Sequence, residues 1–420
     1  MNCASALLAL TLLLLSNATA AQRGKTVEIR GGLWFDGQRF APRTMYMADG
    51  RFVRRPSAVT SILDVTGAFI VPPFGEAHNH NIAPSPNFER LVRRYLEAGV
   101  FYVQNPNNLP RDRDSLAGRV NVPHSIDVTF ANGGITGPGG HPEEIAAGNV
   151  ARNTWTAADG EGAFFFTVHD APSMREAWGR LQATHPDFVK AYLLYGEAYD
   201  HRLNDPATVG WRGMDPGLLP LLVTLAHHSH RRVMVHVETA EDFRLAVRAG
   251  VDTIGHIPGF RANERTELPD PTIFTLRKDD AREAARRGVT VITTVADLSN
   301  YAQRADSIAF RTRVDTLLKG NLQTLRENGV VIAVGSDAYG DTSVAEATYL
   351  AATGIFDPAT MLRMWSQITP RHIFPNRKIG RLDPGYEASF LVLDDNPLTD
   401  FRNVSHIRLA IKQGVVVVSR

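Results

Sequence analysis

Two hydrophobic rhythms divide this chain. From Thr26 to about Ile70 the apolar positions come in short bursts: VEIR, GLWFDGQRF, TMYMADGRFV, SILDV and AFIVP. Turns carrying Gly and Asp separate them, which predicts strands joined by hairpins. The same style returns near the end in ASFLVLDDNP and GVVVVSR. The two ends are therefore expected to form one small β-sandwich domain from residues 21–72 and 380–420. The middle alternates short apolar runs with stretches of helical spacing. Strands are predicted at Ile70–Pro73, Val100–Gln104, Asp127–Ala131, Phe188–Leu193, Arg232–Val237, Thr253–His256, Val289–Val295 and Val330–Gly335. In FERLVRRYLEAG, Phe88, Leu91, Val92, Tyr95 and Leu96 make one apolar stripe, and Gly99 reads as the helix stop. Eight strands with intervening helices predict an α/β fold, a (β/α)₈ TIM barrel over residues 73–379.

Composition narrows the function classes. The chain has 420 residues, 44% hydrophobic and 21% charged, as soluble globular proteins do. Lys and Arg total 45 against 44 Asp and Glu, so no basic excess points to nucleic acid. The single cysteine, Cys3, excludes an internal disulfide, a CxxC site or a cysteine-ligated zinc. It precedes the apolar run Ala6–Leu15, which is short for a membrane span and is followed by Ala18-Thr19-Ala20. That order predicts a signal peptide over residues 1–20, a secreted or periplasmic protein, and no membrane span after cleavage.

The candidate chemistry sits at predicted strand ends. His78 and His80 form an H-x-H, and side chains two apart on a strand share a face. His236 ends VMVHV, His256 ends DTIGH, and Asp337 follows VIAVGS. In a barrel such positions converge at one mouth, and imidazole with carboxylate suits zinc, manganese, cobalt or iron. Lys190, in DFVKAYL, is one of only six lysines beside 39 arginines. Burial lowers a lysine's pKa, and a neutral amine can add CO₂ to give an anionic two-oxygen ligand. The plain alternative is a lysine paired with a nearby carboxylate.

VPPFGEAHNH, FVKAYL, VMVHVETAEDFRLAVRAGVDTIGH, VIAVGSDA and GRLDPGYEASFLVLDDNPL together resemble the amidohydrolase superfamily of metal-dependent hydrolases. The ITGPGGHPEE stretch is most similar to its imidazolonepropionase-like and prolidase-like branch. The resemblance implies two divalent metal ions, with zinc the expected pair. His78, His80 and Asp337 would hold one ion, and His236 and His256 the other. Carboxylated Lys190 and a shared hydroxide would bridge them. Asp337 would carry a proton from that hydroxide to the leaving nitrogen. Two positions depart from the family pattern: Glu76 stands where Asp is usual, and Gly255 where Glu is usual.

Further candidates surround this set. Tyr192 shares strand parity with Lys190, and Tyr195 follows in the loop; a tyrosine there could hydrogen-bond a developing oxyanion. His141 is a candidate substrate contact. The loops Asn132–Ala163 and Tyr195–Met214 are expected to shape the pocket, with Arg202, Arg212 or Arg261 available for a substrate carboxylate. His227, His228 and His230 read as solvated surface. The leading expectation is hydrolysis of a C–N bond in a small amide, dipeptide or cyclic amide. A mononuclear deaminase, an esterase or lactonase, and a non-catalytic binding barrel are the alternatives.

Overall fold

The computed structural model describes residues 25–260, 270–296 and 307–420. The expected signal segment and Arg261 lie outside them. Strands from both ends meet as expected. From the N-terminal side come β1 (Thr26–Phe35), β2 (Phe40–Ala48), β3 (Arg51–Val53), β4 (Ser61–Asp64) and β5 (Phe69–Val71). The last stretch supplies β16 (Phe390–Leu393), β17 (Ile407–Lys412) and β18 (Val415–Ser419). They hydrogen-bond in the order β18-β17-β16-β5-β1-β2-β3, with β4 also on β1.

That is one connected sheet, where a sandwich was expected, and it curls on itself. Four steps separate β16 from β3, about 19 Å on a flat sheet. Yet the rings of Phe52 and Phe390 are 5.8 Å apart, and Trp34 lies 6.0 and 5.8 Å from them. Phe52 also bonds through its backbone to Tyr386 and Gly385, just before β16. All of β16 is buried because its two faces serve different cores. Phe390 and Val392 face Trp34 and Phe52, whereas Leu391 and Leu393 join the large apolar cluster of the barrel. Gly99, at φ +73°, ends the helix Phe88–Glu97; a Cβ there would stand 2.6 Å from Leu391 Cδ1.

The barrel uses β6 (Phe74–Glu76), β7 (Val100–Asn105), β8 (Asp127–Phe130), β9 (Gly134–Thr136), β11 (Val189–Tyr192), β12 (Val233–His236), β13 (Thr253–Ile254), β14 (Thr290–Ile292) and β15 (Val331–Ala333). All pairings among them are parallel. β8 pairs with β7 and β9 with β11, so the two act as one interrupted third strand. The break is at Asn132 and Gly133, both at positive φ. β10 (Phe165–Thr167) is an extra parallel strand beside β9. Ala77 N donates to Val334 O at 2.9 Å, which joins the first strand to the last. The predicted first strand, Ile70–Pro73, needs correction. Ile70 belongs to β5 in the terminal sheet, and the barrel starts at Phe74. Pro72 and Pro73 lack ladder donors and divide one apolar run into two strands. No described helix is long and apolar enough to cross a membrane.

A buried ion cluster ties the two parts together. Lys412 Nζ donates to Asp127 Oδ1 at 2.6 Å and to Val122 O at 2.7 Å, with both charged side chains fully buried. Arg377 bridges Asp127 and Glu387, each at 2.9 Å. Removing one partner strands the other. Lys412→Met should therefore cost about 3 kcal/mol in urea unfolding, and Lys412→Met with Asp127→Leu should recover part of that loss. His372, on the helix Thr369–Ile373, is buried, and desolvation pushes its pKa down to about 3. The unfolded chain takes up that proton near pH 6.5, so this stability is present above pH 6.5 and lost as pH falls toward 3. His372→Gln should remove about 2 kcal/mol of the stability drop between pH 7 and pH 5, read as unfolding midpoints at the two pH values.

Candidate metal centre

Strand alternation delivers the candidates to one mouth. Lys190 and Tyr192 share a face of β11, opposite Met234 and His236 of β12 in register. His236 is the last residue of its strand, and His78, His256 and Asp337 follow theirs within a few residues. The imidazole rings form a chain: His80 to His78 at 5.4 Å, His78 to His256 at 4.3 Å, His256 to His236 at 4.5 Å. Asp337 Oδ1 lies 3.5 Å from His80 Nε2 and 4.0 Å from His78 Nε2. Ligand atoms of His78, His256 and Asp337 all fall within 4.8 Å of one another. Lys190 is 1% exposed, with Nζ 3.8 Å from Met234 Sδ. All six residues line one cavity of about 380 Å³. A more open groove of about 1150 Å³ lies against the terminal sheet, and none of the six lines it.

Each histidine is held through one ring nitrogen. Nδ1 of His78 donates to Gly255 O at 2.9 Å, and Nδ1 of His80 to Asn107 O at 3.2 Å. Nδ1 of His256 meets Thr294 Oγ1 at 2.9 Å. His236 is the reverse case, with Nε2 bonded to Glu238 Oε1 at 3.2 Å. Such outer partners fix the tautomer and leave the opposite nitrogen as the ligand atom. The donor set therefore fits a metal: Nε2 from His78, His80 and His256, Nδ1 from His236, and a carboxylate. Thr294 and Asp337 both sit at positive φ, 49° and 51°. For a β-branched threonine that is a strained backbone, held here at the site it serves.

Electrostatics agree with ligand duty. Burial drives His78 and His256 well below the usual histidine range and His80 down to about 3. Burial also pushes Lys190 down to about 7, with Asp337 acting in the opposite direction. Burial thus favours the neutral, nucleophilic form of that amine.

A sequence model of the amidohydrolase family matches residues 214–417, which carry His236, His256 and Asp337. Over that stretch, just under half of its length, the chain is similar to the amidohydrolase family. An ochratoxinase of Aspergillus niger is 24% identical over 190 residues, 44% of this chain. The match spans only 37% of the length of that curated relative. The crystal structure of A. niger ochratoxinase superposes with a TM-score of 0.74 at 15% identity, covering 95% of this chain and 96% of that one. A prolidase complexed with N-methylphosphonate-L-proline gives 0.72 at 17% identity, over 94% and 100%. An amidohydrolase structure gives 0.73 at 21%, also over 94% and 100%. These likenesses establish a shared fold.

The two departures from the family pattern have structural answers. Glu76 is fully buried and accepts from Ser336 N at 2.8 Å, Ser336 Oγ at 2.7 Å and His78 N at 3.2 Å. It thus links the first strand to the loop that carries Asp337. Burial raises its pKa to about 8. Gly255 supports His78 through its carbonyl, and a Cβ there would stand 3.2 Å from Lys190 Nζ.

The outer candidates divide. Tyr192 and His141 line the cavity, their rings 5.1 Å apart. Tyr192 Oη accepts from Asn107 Nδ2 at 3.0 Å, and His141 Nδ1 bonds Glu144 at 2.5 Å. Tyr195 is not brought to the cavity. It packs with Phe274 and Leu317, and the Arg202 guanidinium lies 3.9 Å over its ring. Arg212 is committed to the carbonyls of Pro138, Arg202 and Leu203. His227 bonds Asp252, and both it and His228 are exposed, while His230 is exposed at a turn. Sequence reasoning missed Asn107 and Thr294, which hold His80, Tyr192 and His256. The polar run QNPNN after a buried strand was the available signal for Asn107. It also missed Asp242, whose buried carboxylate gathers the backbone N–H groups of Tyr195, Gly196, Glu238 and Thr239.

Glu76 gives a direct check. Glu76→Gln keeps the acceptor for Ser336 N and should leave metal affinity within about threefold of the native value. Glu76→Ala should lose about 2 kcal/mol of stability and about tenfold or more in metal affinity. Calorimetric metal titration and urea unfolding read both.

Proposed function

We propose that this chain is a metal-dependent hydrolase that cleaves the C–N bond of a small amide, dipeptide or cyclic amide. The observation that carries the reading is the set of four imidazoles at one barrel mouth, each pinned through one nitrogen, around Lys190 and Asp337. Similarity to proteins named ochratoxinase, prolidase and molinate hydrolase supports the same class. His78, His80 and Asp337 would hold one divalent ion, zinc in the first instance, and His236 and His256 a second. Lys190 would bridge them after its neutral Nζ adds CO₂, forming an N–C bond and releasing one proton. When bound, the metals supply an activated water and polarise the scissile carbonyl.

The chain's own groups do the rest. Asp337, beside Nε2 of His80, takes the proton from the attacking water at Oδ1 and delivers it to the leaving nitrogen. Tyr192 already accepts from Asn107 Nδ2, so its phenolic proton is not spent on that amide and can be donated to the carbonyl oxygen as charge develops. His141, held by Glu144, contacts substrate from the loop after β9.

Metal per chain, measured after growth with zinc and bicarbonate, should be near two. Lys190→Ala should bring it to one or below and cut turnover at least 100-fold, with partial rescue by added short carboxylic acids. A native ratio near one removes the bridging carbamate. No turnover by the metal-loaded protein across amide, dipeptide and cyclic amide libraries sinks the hydrolase reading.

A further inference from the structure

One wall of the cavity is built by loops that contribute nothing to the metal set. Leu109 follows β7, and Ile145, Trp155 and Phe164 come from the long segment after β9. They form a satellite apolar cluster of their own with Ala146 and Phe165. Trp155 and Phe164 meet edge to face, with centroids 4.8 Å apart and planes at 68°. An ion pair links Arg111 to the buried Asp159, and so joins the two segments. Trp155 is only half-buried. An apolar face left partly uncovered beside the candidate metal set is a place for a ring or a bulky apolar group.

The charges around this wall carry a second message. Outside the metal set, the charged side chains that line the cavity, among the described residues, are Asp112 and Glu144. Both are acidic. Lys190 is the one described lysine or arginine on the lining, and the proposed function consumes its charge. Arg202 and Arg212, the sequence's candidates for a carboxylate, are occupied by Tyr195 and by backbone carbonyls. Away from the metal set, a substrate carboxylate at this wall would be desolvated with no described lysine or arginine to meet it.

We propose that the substrate presents an aromatic or bulky apolar group to Trp155 and Phe164 and is otherwise neutral or amine-bearing, so that the enzyme is selective against substrates with a free carboxylate. This rests on the hydrolase reading above and narrows it. A free dipeptide is then a poor substrate, and a capped or aryl amide a good one.

Three matched compounds test it on the metal-loaded full chain: N-phenylacetyl-glycinamide, N-phenylacetyl-glycine and N-acetyl-glycinamide. The first should exceed each of the others at least tenfold in kcat/KM. Trp155→Ala should bring the phenylacetyl-to-acetyl ratio toward one, while Trp155→Phe retains it; Phe164→Leu replaces Trp155→Ala if that variant fails to fold. A preference for the carboxylate compound overturns the proposal, as does a carboxylate preference that Arg261→Ala abolishes. If none of the three is turned over, the hydrolase reading fails for this class, and calorimetric binding of the same compounds decides the proposal separately. Tenfold tighter binding of the neutral aryl amide supports it, and equal or reversed affinities overturn it.

Discussion

Four imidazoles and a primary amine share one barrel mouth, and they cannot share many protons. Burial penalises each added charge, and neighbouring rings 4–5 Å apart penalise it again. Burial disfavours the protonated forms of His78, His80 and His256, and hydrogen bonds hold one nitrogen of each of the four rings. Gly255, Asn107, Thr294 and Glu238 do this from four different strand ends. A collection of lone pairs aimed at one volume is costly alone and favourable around a cation. Much of the surrounding construction follows from keeping it in order: Glu76 joining the first and last strands, Asp242 gathering two loops, and the positive φ of Thr294 and Asp337.

That the six candidate residues meet in one cavity was legible in the sequence, because strand periodicity does the geometry. Once a residue is placed at the C-terminal end of a barrel strand, its direction is nearly decided. The eight-strand count held for the same reason, since buried parallel strands read as continuous apolar runs. The first strand was misplaced because AFIVPPFGE is apolar throughout, and only its prolines mark the border between two sheets. The terminal strands were visible, but their closure was not. Curling depends on contacts such as Phe52 with Phe390, which join positions far apart in the chain.

The outer contacts were legible only in part. Asn107 and Thr294 act through a backbone carbonyl and a side chain in loops, where no period constrains direction. Tyr195 illustrates the opposite error. It is three residues beyond Tyr192, and the left-handed backbone at Tyr195 (φ 57°) turns the chain away, under Arg202. From sequence alone the two family departures were only differences from the pattern. In space Gly255 supports His78 with its carbonyl, and Glu76 holds the loop bearing Asp337, so support passed to the main chain and to a longer acid.

The ion cluster of Asp127 and Lys412 sets an order on synthesis. The two residues are 285 positions apart. Asp127 begins the third barrel strand, so a growing chain makes every candidate metal ligand long before it makes the cation that neutralises this carboxylate. Until then that buried carboxylate has Arg377 but lacks the closer Lys412, and the curled sheet lacks β16, β17 and β18. Native structure is therefore withheld from a growing chain until the strands between Phe390 and Ser419 have been made.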